Sequence, residues 1–438
     1  MAAFESDASN ILPGDSNGLT DVFVVHRRGP YGNNGVRWRV GENELVSRGL
    51  GGPANGRSYA PAVDGSVRSA PSCVAFVSDA SNLVRGDTNG VADAFLYSLR
   101  SHRIRRVSVS SQGVQANGPT YGVAVSGDCG RVAFTSAATN LALTHTRKAA
   151  WRGGRSAPVP PGHRQVYVRF LGRHRLDRGF RGMTAVASVS NARQPGNGDS
   201  FDPAFASSGK ALAFTSTSTN LTPGDPSPSN DVYVRQLNRK FVHLGHGRGA
   251  QTLLAGTRLV SATPGGGAGN GPSQHPSVSG SGRYVAYDTA ASDLLPSDGN
   301  GVPDVARADL DSSPAAQRLV SRTQTAAGNG ASLDPSISDA GHFLAFASDA
   351  TNLKMYPYFA ADTDGVRDVL LGIVGLNSSS PESLDSSNRF LHTPSSSPAI
   401  SARGNYILFE SADPRVDAST FSPGRNEVYM RFLLGKAE

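Results

Sequence analysis

Cysteine is nearly absent: the 438 residues contain only Cys73 and Cys129. Two cysteines are too few for a disulfide framework, and their separation fits no zinc-ligand spacing. Each stands where a strand-like segment begins, in successive repeats but not at equivalent positions, so packed thiols are expected ahead of a bridge between them. Long apolar runs are absent too. No stretch approaches the roughly 18 to 20 apolar residues that cross a bilayer, which excludes a transmembrane helix. The N-terminus lacks the basic, apolar and small-residue series of a signal peptide, and the chain starts inside a repeat, as from an internal start of a longer protein. No apolar period of 3.6 residues can be traced, so helices are not expected. Also missing are a G-x-S-x-G elbow, an H-E-x-x-H helix and a phosphate-cradling glycine loop; the glycine-rich stretch Pro264 to Gly271 falls in a repeat connection. The ten histidines are scattered, and His163, His174, His243, His246, His275 and His342 read as turn residues at unrelated phases. These absences argue against an enzyme, although a catalytic cluster assembled from separate repeats leaves no local signature.

What the sequence does contain is a repeat. Its strongest copy runs from Val74 to Leu96: a strand-like VAFVS, a polar turn Asp87-Thr88-Asn89-Gly90, and a second strand-like run from Asp93. The AFxS strand recurs at Ala3-Phe4-Glu5-Ser6, Ala75-Phe76-Val77-Ser78, Ala133-Phe134-Thr135-Ser136, Ala213-Phe214-Thr215-Ser216, Ala286-Tyr287-Asp288-Thr289, Ala345-Phe346-Ala347-Ser348 and Leu408-Phe409-Glu410-Ser411. Before it lies a hairpin partner such as Pro276-Ser277-Val278-Ser279. A third strand follows the polar turn, as in Asp231-Val232-Tyr233-Val234, and a fourth closes the unit, as in Leu45-Val46-Ser47 or Leu259-Val260-Ser261. Glycine (50) and proline (27) supply many tight turns. Four antiparallel strands per unit, repeated every 57 to 80 residues or so, predict an all-β propeller of four-stranded blades. Seven blades are favoured, near 1–50, 51–110, 111–190, 191–262, 263–322, 323–380 and 381–438, with the first and last incomplete. Six closed blades with a loose terminal piece is the alternative.

PSVSGSGRYVAY followed by PDVARADL and RLVSATPGGGAGNG, and PSISDAGHFLAF with RDVLL, resemble the TolB-type, WD-like propeller repeats of bacterial proteins. The resemblance spans essentially the whole chain. It implies a single propeller domain, an exported (periplasmic or secreted) location, and a non-catalytic platform that binds a protein or glycan. The alternatives are a calcium-stabilised structural propeller and a hydrolase built on a propeller scaffold. No cofactor is expected other than calcium, and a monomer is expected.

Two stretches are candidate sites. The first is the turn D-x-[N/D]-G-x-x-D, intact at Asp15, Asn17, Asp21; at Asp87, Asn89, Asp93; at Asp298, Asn300, Asp304; and at Asp362, Asp364, Asp368. Oxygen ligands at alternate positions around a glycine-permitted turn suit calcium, and the turn resembles the calcium loops of FG-GAP propellers but is two residues shorter. The competing reading is plain turn chemistry, with the last Asp accepting backbone N–H bonds where the third strand begins. The second stretch is the insertion 142–165, which replaces this turn in the third unit. From Arg147 to Arg181 ten basic residues face one acid, Asp177, in a chain of net charge +7. Arg147, Lys148, Arg152, Arg155 and Arg164, with Trp151 as an aromatic anchor, would form a patch for an acidic protein surface or anionic glycan rather than nucleic acid. The competing reading is a pair of solvated loops.

Overall fold

The computed structural model describes residues 1–26, 42–67, 70–142, 158–172, 182–244, 248–254, 256–295, 298–353, 362, 364–385, 387–416 and 425–433. Every blade is an antiparallel sheet in which consecutive strands pair. Blade 1 contains β1 (Ala2–Ser6), β2 (Asp21–His26) and β3 (Glu42–Leu45). Blade 2 contains β4 (Ser58–Val63), β5 (Cys73–Ser78), β6 (Asp93–Ser98) and β7 (Arg103–Arg106). Blade 3 contains β8 (Thr120–Val125), β9 (Arg131–Ser136), β10 (Gln165–Phe170) and β11 (Thr184–Val186). Blade 4 contains β12 (Ser200–Phe205), β13 (Ala211–Ser216) and β14 (Asp231–Gln236), then a separate hairpin, β15 (Asn238–Leu244) and β16 (Arg248–Leu254), before its closing strand β17 (Thr257–Leu259). Blade 5 contains β18 (Ser273–Val278), β19 (Tyr284–Thr289), β20 (Asp304–Asp309) and β21 (Ala316–Leu319). Blade 6 contains β22 (Ser332–Ile337), β23 (Phe343–Ser348), β24 (Asp368–Ile373) and β25 (Ser378–Pro381). Blade 7 contains β26 (Ser395–Ile400), β27 (Tyr406–Ser411) and β28 (Glu427–Phe432).

The chain is therefore a seven-bladed β-propeller, whose first and last blades show three strands each among the described residues. The chain divides into two compact units, Met1–Ala187 with blades 1 to 3 and Ser188–Glu438 with blades 4 to 7. The hairpin β15–β16 is an addition that the repeat did not foretell. The fourth strands also end earlier than the sequence suggests: Val46-Ser47 and Val107-Ser108 lie just beyond β3 and β7.

The AFxS strand lies between neighbouring blades, and its alternation divides it between them. In unit 1, Cys73 and Ala75 of β5 join the blade 3 core around Val132 and Phe134, while Val74 and Phe76 join Val22 and Val24 of blade 1. In unit 2, Leu344 and Phe346 of β23 pack with blade 5 and Ala345 packs with Ile407 and Phe409 of blade 7. Both faces of β5, β9 and β13 are buried, which explains why these segments read as near-continuous apolar runs. The motif's Phe stacks on the third-strand aromatic directly opposite, as Phe76 does on Phe95 (5.7 Å between centroids) and Phe134 on Tyr167 (5.6 Å).

Within each unit the strands that precede AFxS in successive blades pack side by side, β4 and β8 in one, β12, β18, β22 and β26 in the other, whereas β1 is the AFxS strand and holds the second position of blade 1. The strand before AFxS is thus the inner strand of blades 2 to 7.

Candidate functional site

The Asp turns serve mainly as blade connectors, but their bonding differs from the sequence expectation. The last Asp does not take backbone N–H groups. In blade 1, Asp21 Oδ2 accepts the Asn17 side-chain amide (2.7 Å) and Oδ1 accepts the Ser47 hydroxyl, whose oxygen in turn accepts Val22 N–H at 3.0 Å. The Asn17 amide also reaches Ala54 O (3.2 Å), tying the turn to the entry of the next blade. Blade 2 repeats this with Asn89, Asp93 and Ser108, and blade 5 with Asn300, Asp304 and Ser321. The serine of each L-V-S segment, read from sequence as a plain strand residue, is therefore the partner of the turn's last carboxylate. Burial raises the Asp304 carboxyl to about 6 and the Asp231 carboxyl of blade 4 to about 7, against the hydroxyl hydrogen bonds that oppose the shift.

Blade 2 adds a cation. Arg106 Nη1 donates to Asp87 Oδ1 (2.8 Å), Asp93 Oδ2 (3.0 Å) and Gln115 Oε1 (2.6 Å), and its Nη2 donates to Gly86 O (3.0 Å). Among the described residues, neither an amide nor a guanidinium meets the last Asp of the blade 6 turn: Asp364 stands where the other turns have Asn, and its Oδ2 meets His392 Nδ1 at 2.9 Å. Asp368 is 2% exposed; its Oδ1 accepts Ser383 Oγ (2.7 Å), and its Oδ2 has no hydrogen-bond partner.

A second constellation, which sequence reading missed, lies on the inner strands. The third residue of each S-x-x-P segment adopts the left-handed backbone: Ala60 (φ 51°), Asp202 (49°), His275 (50°), Asp334 (54°) and Ser397 (52°). At each of these places the pairing with the second strand slips in a bulge. Five non-glycine residues held there by the same local motif represent a strain of about 1 kcal/mol or more each. The N–H of that residue is bonded by a carboxylate of the preceding blade: Glu5 Oε2 accepts Ala60 N–H (2.6 Å), and Asp288 Oδ2 accepts Asp334 N–H (3.1 Å). Both acids are the variable residue of the AFxS motif.

In unit 2 this geometry brings together His275, Asp288 and Asp334, with Asp202 close enough to bias the ring. His275 Nδ1 lies 2.8 Å from Asp288 Oδ2 and 3.2 Å from Asp334 Oδ1. The Asp288 hydrogen bond, against a smaller desolvation, raises His275 to about 9, so at neutral pH it is an imidazolium bridging two carboxylates. His275 is thus a strand residue, not the turn residue read from sequence.

The two cysteines, read as packed thiols, are joined: Cys73 at the start of β5 and Cys129 in the turn before β9 have Cα atoms 6.3 Å apart in a Cys73–Cys129 disulfide between blades 2 and 3. Cys129 takes a left-handed backbone (φ 55°), which brings its side chain within reach. Inequivalent repeat positions had concealed this proximity. Of the basic insertion, Arg147, Lys148, Trp151, Arg152 and Arg155 lie outside the described residues. Arg164 is described, with its guanidinium 5.5 Å from the Tyr121 ring centroid.

No protein-family model matches the chain, and no curated protein matches it. Among solved structures it is similar to TolB from Acinetobacter baumannii (12% identity, TM-score 0.38, 79% of this chain and 58% of that one). It is similar to a putative TolB from Agrobacterium tumefaciens (12%, 0.38, 89% and 94%). It also resembles a puromycin-hydrolyzing peptidase from Mycobacterium tuberculosis (14%, 0.46, 96% and 51%), of which it spans about half the length. At these TM-scores the likenesses carry no functional inference, and the propeller stands on its own strand registers. No helix among the described residues is long and apolar enough to cross a membrane.

Proposed function

We propose that this chain is a non-catalytic binding platform whose partner is a protein presenting a basic segment to the inner-strand face of unit 2. The carrying observation is the recurrent left-handed position: one backbone geometry is kept in five blades while its side chain changes from Ala to Asp, His, Asp and Ser. A strained conformation held constant under varied side chains is what presenting different contacts from one scaffold requires. Asp202, Asp288 and Asp334 outweigh the one imidazolium, so the face favours a cationic ligand. The buried disulfide is in keeping with an oxidising compartment, and export is proposed on that ground.

The convergence of His275 with two carboxylates favours a second reading, a hydrolase on a propeller scaffold. Against it, a ring protonated up to about pH 9 and held by Asp288 and Asp334 is not a free base at neutral pH. An array of Lys/Arg-rich, neutral and acidic peptides, together with a glycan array, separates the readings. Basic peptides should be retained, and Asp202→Ala with Asp334→Ala should weaken them at least tenfold without unfolding the chain. Retention that ignores both substitutions would contradict the reading, as would glycan-only binding or hydrolysis of chromogenic ester or peptide substrates that is lost in His275→Ala.

A further inference from the structure

Arginine recurs at one point of the blade, the third-strand residue that pairs with the residue before the AFxS motif. Arg169 stands there in blade 3, opposite Val132, and Arg431 stands there in blade 7, opposite Ile407. Each reaches back to the preceding blade, where Nη1 donates to the carbonyl of Val109 (3.3 Å) or of Leu384 (3.5 Å). These two carbonyls are equivalent, because each follows the serine that bonds the turn's last Asp, Ser108 or Ser383. In blade 7 the charge is also answered: Arg431 Nε lies 3.1 Å from Oε2 of the buried Glu382, the residue just before Ser383. In blade 2 the residue just before the serine is Val107.

Among the described residues no carboxylate meets Arg169. Its Nη1 donates to neutral oxygens only, the Val109 carbonyl, the Ser110 carbonyl (2.9 Å) and the Thr184 hydroxyl (2.9 Å). Val107 and Arg169 instead share the lining of a cavity of about 220 Å³. Phe170 and Leu171 give it apolar walls and Arg105 adds a second cation, while Arg106, also in the lining, is already held by Asp87 and Asp93. A Cβ at Gly182 would lie 3.7 Å from Arg169 Nη2, so the glycine keeps that nitrogen open to the cavity. Burial, and then the charge of Arg105, pulls the Arg169 guanidinium down to about 10, the direction expected of a cation with no acid beside it. Burial without an acid is not by itself a ligand site. Arg235, the blade 4 counterpart, has the same kind of carbonyl and hydroxyl partners but is 4% exposed, whereas Arg169 opens on a cavity.

We propose that the cavity between blades 2 and 3 binds a small monocarboxylate, whose carboxylate on Arg169 takes the part that Glu382 plays for Arg431. A guanidinium fork matches a planar carboxylate, and one fork without an acid calls for one negative charge rather than the two of phosphate or sulfate. The apolar walls of Val107, Phe170 and Leu171 suit a short carbon body. The volume is below the roughly 300 to 1,000 Å³ of sites for drug-sized ligands, which limits the ligand to a small acid. The site lies within unit 1 and is independent of the partner-binding reading for unit 2.

The test is calorimetric titration of the whole chain with sodium butyrate, with butyramide as its uncharged counterpart, and with phosphate and sulfate. Butyrate should saturate one site with a dissociation constant of about 1 mM or tighter, weaken as NaCl is raised, and bind better than phosphate or sulfate. Butyramide should not bind. Arg169→Lys, which keeps the charge and loses the fork, should weaken butyrate about tenfold or more. Val107→Glu, which supplies the acid of the sister pair, should abolish butyrate binding in a chain that still melts cooperatively. Asp334→Asn, in the inner-strand cluster of unit 2, should leave butyrate binding unchanged. No saturation by about 10 mM butyrate would overturn the proposal. So would equal binding of butyramide, tighter binding of phosphate or sulfate, or undiminished binding in folded Val107→Glu. Binding that appears only in Asp177→Asn would overturn it as well, because the one acid between Arg147 and Arg181 would then already fill the cavity.

Discussion

At the scale of single residues, one backbone conformation governs what a side chain can do. Ala60 and Ser397 carry no sequence mark of the left-handed region, and Asp202, His275 and Asp334 carry only a weak one, since Asp and His enter it more readily than most residues but far less than Gly. The proline after each reads as the start of a strand. Sequence reading accordingly began the inner strand at Pro276 and left His275 in a turn, whereas the strand begins at Ser273. Only the recurrence of S-x-x-P at matching places could have pointed to it. The bridge made by His275 has a measurable sign. Its folded pKa of about 9 lies above the ordinary 6.5, so its contribution to stability is complete below about pH 6.5 and is lost as pH rises through 9. Urea midpoints measured from pH 6 to 10 should therefore fall for wild type more steeply than for His275→Gln. Parallel profiles would show that the Asp288 and Asp334 contacts add nothing.

At the scale of the blade, the strands that could be read were those whose pattern serves packing alone. Cys73–Ser78 and its equivalents are buried on both faces, and short apolar runs bounded by turn residues reported this faithfully. The candidate turns were legible as turns but not in their bonding, because the partner of Asp21, Asp93 and Asp304 is a serine 15 to 26 residues away along the chain. The disulfide was illegible for the same reason: Cys73 and Cys129 are separated by 56 residues and occupy different repeat phases, and only the stacking of blade 2 on blade 3 brings them together. Closing a loop of that length restricts the unfolded chain, with an entropic benefit of about 4 kcal/mol in the simplest treatment and typically about 2 to 4 kcal/mol measured. The double substitution Cys73→Ser, Cys129→Ser should lower unfolding free energy by about that amount in denaturant titration, with disulfide-linked wild type as reference. An unchanged midpoint would mean that the bridge does not constrain these blades.

At the scale of the molecule, the propeller uses its repeat twice. The AFxS strand and its stacked aromatics repeat because every blade must bury two faces. The inner strands keep their backbone and vary their side chains, and that variation is where function can differ from blade to blade. The central claim is that this inner face, rather than the outer strands, meets the partner. It is tested most directly by site-specific photo-crosslinking of the intact chain to a retained basic peptide. One probe replaces Ser397, exposed on inner strand β26, and the other replaces Leu376, 55% exposed in the connection between β24 and outer strand β25. Crosslinks from position 397 that are absent from position 376 are the predicted result; crosslinks from position 376 alone would contradict it.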